Sequence, residues 1–92
     1  HIDLARYRMI YLMDNLKRKF NLDTSELDEQ FTHKLAEKSA ISQEELTPFV
    51  RQLNKIKNTG YLSKTDFLAF NKSIEQYTKK FKINKKKIII YG

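Results

Sequence analysis

Leu35-Ala36-Glu37-Lys38-Ser39-Ala40-Ile41-Ser42-Gln43-Glu44-Glu45-Leu46 is the stretch that decides the fold of this 92-residue chain. Ala36 and Ala40 stand four residues apart, and Leu46 follows six further on. Small side chains at that spacing let two helices cross closely at a short turn, as in a helix-turn-helix. Ser42 to Glu45 is a capping box, with a hydroxyl at the cap and a carboxylate three residues later, so a helix is expected to start here. Reading a DNA duplex would require positive or neutral polar groups at the start of that second helix. Gln43, Glu44 and Glu45 stand there instead, and two carboxylates repel phosphates. The corner is therefore expected to serve packing, with DNA readout as the lesser reading.

Working outward, helical periodicity continues on both sides. Upstream, a segment from about Asp3 to Phe20 carries Leu4, Tyr7, Tyr11, Met13, Leu16 and Phe20 at three- and four-residue steps, and Met9, Ile10 and Leu12 widen the stripe. A stripe that wide implies burial on more than one side, or a partner. Asn21 to Ser25 reads as a connection. Thr24 or Ser25 is expected to cap a second helix, with Glu26, Asp28 and Glu29 in its first turn and Leu27, Phe31 and Leu35 on one face. Downstream of Ser42, Leu46, Phe49, Val50, Leu53 and Ile56 form a third stripe. Pro48 inside it predicts a kink, or a restart capped by Thr47. Asn58-Thr59-Gly60 ends that helix, with Gly60 expected to supply a left-handed turn. Ser63 and Asp66 form a second capping box, opening a helix to about Phe81 that carries Phe67, Phe70, Ile74 and Tyr77. Ile88-Ile89-Ile90-Tyr91 is β-branched and aromatic, and reads as a frayed tail or a short strand.

Two glycines and one proline are little punctuation for this length. The fold class expected is therefore all-α: a compact bundle of four to five helices over residues 1–81, followed by a basic tail over 82–92. Its core would be Leu16, Phe20, Leu27, Phe31, Leu35, Ile41, Leu46, Val50, Leu53, Phe67, Phe70 and Ile74.

The net charge of +7 is unevenly placed. Lys79, Lys80, Lys82, Lys85, Lys86 and Lys87 supply +6 within the last fourteen residues, with no acid among them. Residues 21–45 carry a net −5. Without cysteine there is no disulfide, thiolate metal site or cysteine nucleophile. No apolar run reaches the roughly 18 residues that span a bilayer. A chain that begins at His1 and not Met reads as a piece of a longer protein, with a membrane span or second domain ahead of it.

Chemistry-bearing patterns are weak. From Lys55 to Asp66, a glycine at position 6 and an acid at position 12 echo a calcium-binding loop, but positions 1 and 3 are Lys55 and Lys57, which cannot ligate calcium. His33 shares a helix face with Glu37, and a histidine with carboxylate neighbours alone makes a poor metal site. Asp28/Glu29 and Glu44/Glu45 are sequence neighbours that diverge by about 100° on a helix, so neither is an acid–base pair. No nucleotide fingerprint or nucleophile constellation is present. The chain is expected to be no enzyme and to need no cofactor or metal.

Lys17-Arg18-Lys19-Phe20-Asn21-Leu22-Asp23-Thr24-Ser25-Glu26-Leu27-Asp28-Glu29-Gln30-Phe31, then Lys34-Leu35-Ala36-Glu37-Lys38-Ser39, Leu53-Asn54-Lys55-Ile56 and Asn71-Lys72-Ser73-Ile74-Glu75, are the segments that carry a family resemblance. Over roughly residues 5–80 the chain resembles the C-terminal cytosolic helical region of uncharacterised Bacteroidetes membrane proteins encoded near MoxR-type AAA ATPases, a domain-of-unknown-function family. That family usually has glycine where this chain has Ala40. The resemblance implies a cytoplasmic location, on the cytosolic side of a membrane, and an upstream transmembrane segment. It brings no functional residue with it.

The function expected is a non-enzymatic protein-interaction module, the cytosolic C-terminal domain of a larger membrane-associated protein. Glu26, Glu29, Glu44 and Glu45 would face a basic protein partner. The six tail lysines would contact an anionic membrane surface or stay solvated. The alternative is a nucleic-acid-binding domain using the tail with Arg51, Lys55 and Lys57.

Overall fold

In a computed structural model, which describes residues 1–83, four helices follow one another: α1 (Ile2–Phe20), α2 (Glu29–Ser39), α3 (Gln43–Asn58) and α4 (Lys64–Lys80). Among the described residues there is no strand. The molecule is an all-α bundle. The expected tail features at Ile88–Tyr91, and Lys85, Lys86 and Lys87, lie outside the described residues.

Side chains close the helix ends. Ser42 Oγ accepts from the Glu45 amide and Ser63 Oγ from the Asp66 amide, at 3.2 and 3.1 Å, as the two capping boxes foretold. The second helix starts later than expected. Asp23 takes the Ser25 amide and hydroxyl into its own carboxylate, at 2.9 and 2.7 Å, and so fixes a local turn. The cap passes to Asp28, whose carboxylate accepts from the Phe31 amide at 2.9 Å. A carboxylate at that position also meets the positive end of the helix dipole. Leu22 and Leu27 are buried from this loop and not from a helix.

Two further expectations are corrected. Pro48 does not restart α3 with Thr47 as cap, because the helix runs continuously from Gln43 to Asn58 and the Thr47 hydroxyl donates back to the Gln43 carbonyl at 2.8 Å. Gly60 does not take a positive φ. Thr59 leaves α3 in an extended conformation, and among the described residues the left-handed positions are Asn21 (φ 54°), Ala40 (φ 62°) and Lys82 (φ 59°).

Contacts at the helix ends give the relative directions. His1 stacks on Phe67 at the start of both α1 and α4, and Phe20 meets Phe81 edge-on at their far ends, so these helices run side by side in the same sense. Arg6 on α1 donates to the Ile56 and Thr59 carbonyls at the end of α3, so α3 runs against α1. The turn Ala40-Ile41-Ser42 folds α3 back along α2. Asn54 Nδ2 donates to the Leu27 carbonyl at 2.7 Å, which ties the α2 start to the far part of α3. Lysines close the ends where carbonyls are free. Lys38 donates to the Phe20 carbonyl at 2.6 Å and Lys19 to the Lys82 carbonyl at 2.9 Å.

The core is built around Leu16, Leu35, Leu46, Leu53, Ile56, Phe70 and Phe81, all almost fully buried. Of the expected core, Leu27, Phe31, Val50 and Ile74 are also buried, whereas Phe20, Ile41 and Phe67 only lean against it. The phase of α1 differs from expectation. Ala5, Met9, Leu12, Met13 and Leu16 face inward. Leu4, Tyr7 and Ile10 stay 53%, 68% and 60% exposed.

Candidate functional site

The four glutamates do not form one surface. Glu26 lies in the loop before α2 and Glu29 is its first residue. Both sit near the C-terminal part of α3, where Lys57 donates to the Ser25 carbonyl at 3.2 Å. Glu44 and Glu45 occupy the first turn of α3, at the other end of a 16-residue helix. That length separates the two pairs by about 20 Å.

Glu45 is already engaged. Its carboxylate pairs with Lys80, a residue expected to face an anionic surface, and its backbone carbonyl accepts from the Tyr77 hydroxyl at 3.2 Å. The Tyr77 ring stacks on Phe49 at 4.1 Å and lies under the Lys80 ammonium. Hydrogen bonding to Glu45 holds the Lys80 ammonium above its usual pKa. Burial, reinforced by the Glu45 charge, pushes the Tyr77 phenol up. One residue from each charged set thus joins the start of α3 to the end of α4.

Lys79 and Lys82 are exposed near that same end. Of the cations named for nucleic-acid contact, Lys55 forms an ion pair with Asp66 at 3.6 Å and Lys57 bonds Ser25. The Lys55–Asp66 pair links positions 1 and 12 of the calcium-loop spacing, so an ammonium stands where that loop would hold a cation. His33 lies 3.2 Å from Glu37 and 3.4 Å from Gln43, at an exposed position. Among the described residues no group of three His, Cys, Asp or Glu side chains is placed to hold a metal ion.

Three surfaces remain. One is the outer face of α1 with Leu4, Tyr7 and Ile10. The second is a small acidic hollow beside Asp23, Glu26 and Asp28. Asp23 there is held below the ordinary carboxylate range by the hydrogen bonds from Ser25. The third is an open cleft of about 520 Å³ between α3 and α4. The α1 face was legible in sequence as an over-wide stripe. The cleft was not, because it depends on how far α3 and α4 diverge.

Against known families, residues 1–81 match the DUF4350 C-terminal helical domain. The chain belongs to that family. No curated protein and no solved structure matches it. Membership of the DUF4350 C-terminal domain family agrees with the four-helix architecture and the domain's unknown function. Among the described residues of this DUF4350 domain, no helix is long and apolar enough to cross a membrane.

Proposed function

We propose that this domain is a non-enzymatic protein-interaction module, the cytosolic C-terminal domain of a larger membrane-associated protein. The observation that carries the interaction reading is the outer face of α1. Leu4, Tyr7 and Ile10 are each more than half exposed on a helix whose opposite side is sealed in the core. Clustered apolar side chains on a small soluble surface mark contact sites, whereas single ones need no explanation. Some of the titratable groups are held in structural contacts: Asp28 caps α2, and Lys55–Asp66 and Glu45–Lys80 are ion pairs.

Replacing Leu4, Tyr7 and Ile10 together with serine leaves the fold intact by circular dichroism and costs at most about 0.5 kcal/mol for each substitution, because exposed positions contribute little. In the full-length protein, photo-crosslinking from position 7 gives one recurrent partner, and Leu4→Ser with Ile10→Ser abolishes it. Tight binding of duplex DNA or RNA that weakens steeply with salt would instead establish the nucleic-acid alternative. The membrane placement is checked by fractionation: the full-length protein stays with membranes after a high-salt wash.

A further inference from the structure

We infer that the cleft between α3 and α4 is a second docking site, one that takes an acidic peptide segment with an apolar anchor. The short turn from Thr59 to Ser63 joins two helices that touch mainly at the Phe49–Tyr77 stack and at the Lys55–Asp66 and Glu45–Lys80 ion pairs. Between these contacts lies an open surface cleft of about 520 Å³. Exposed Pro48 and the largely buried Phe49 and Tyr77 rings give it a shallow apolar lining for that anchor. Gln52, Ser73 and Gln76 on the walls each carry groups able to bond a peptide backbone.

Charge selects the occupant. The cleft is lined by Arg51 and Lys55, and no carboxylate lines it. Of the acids close to it, Asp66 is paired with Lys55 and Glu45 with Lys80, while Glu44 and Glu75 lie beyond its lining. The exposed Arg51 guanidinium is left over, a planar fork suited to a carboxylate. Nucleic acid fits less well, because duplex or strand binding needs a run of cations tracking successive phosphates. This site is independent of the α1 face, so either can fail alone.

The test is a two-dimensional amide NMR titration of the whole chain with a capped decapeptide of alternating glutamate and phenylalanine. Saturable shifts at Phe49, Gln52, Gln76 and Tyr77 are expected, with at least tenfold weaker binding for Arg51→Glu. A peptide with lysine for glutamate should not bind. Arg51 is exposed, so Arg51→Ala serves as a second variant that keeps the fold, and it should weaken binding severalfold. Absence of saturable shifts would overturn the proposal. So would shifts confined to Leu4, Tyr7 and Ile10, equal affinity for Arg51→Glu, or stronger cleft shifts with an RNA oligomer than with the acidic peptide.

Discussion

At the residue scale, Ala40 is the most informative position. It ends α2 in the left-handed region, at φ 62°, where a Cβ crowds the following carbonyl. Glycine adopts that conformation without the clash. Ala40→Gly is therefore expected to stabilise the domain by about 1 kcal/mol, the relief of strain exceeding the greater freedom glycine gives the unfolded chain. Urea denaturation reads this directly, and a loss of stability would refute it. Asn21 occupies the same region at the end of α1 but tolerates it better, so Asn21→Gly should gain less. Arg6 is the second such position. It donates to two carbonyls at the α3 terminus from a helix fifty residues away in sequence. Arg6→Gln should cost about 1–2 kcal/mol, because it removes a charged donor from the negative end of a helix dipole.

At the scale of elements, the α3–α4 cross-link gives stability a dependence on alkaline pH. Lys80 and Tyr77 both have folded pKa values raised above their unfolded ones. A raised pKa means that the folded state holds its proton longer, so the stability each contributes is present below about pH 10 and is lost as pH rises through the folded value. Thermal unfolding from about pH 9 to 11.5 should show a falling midpoint, and Glu45→Gln should flatten the Lys80 share of that fall. A wild-type midpoint that stays constant over this range would sink the idea. Most elements were legible in sequence because capping and periodicity are local. Ser42 and Ser63 name their own helix starts. The start of α2 was misread because three candidate caps compete between Thr24 and Asp28, and a turn closed by Asp23 removes Ser25 from the contest. The phase of α1 was ambiguous for a different reason. Its apolar residues cover too wide an arc, and only the placement of α3 and α4 decides which side is sealed. Glu45 and Lys80, named in sequence for opposite roles, are 35 residues apart, and no local signal pairs them.

At the scale of the whole molecule, α1 and α4 run in the same direction, and that has a consequence for whatever is joined to the domain. A segment joined ahead of His1 exits at one pole, and the described chain ends with Ile83 at the other. A 19-residue α1 puts about 28 Å between these exits, nearly the full 33 Å extent of the molecule. Under the proposed attachment through a short upstream link, the bilayer lies against the first pole. Lys79, Lys80 and Lys82 then stand about three screening lengths from that surface, taking about 8 Å for each at physiological salt. In that arrangement the domain is a rigid spacer. It holds Lys79 and Lys82 out toward the aqueous side, where attraction to the anchoring membrane is screened and attraction to nearby acidic macromolecules is not.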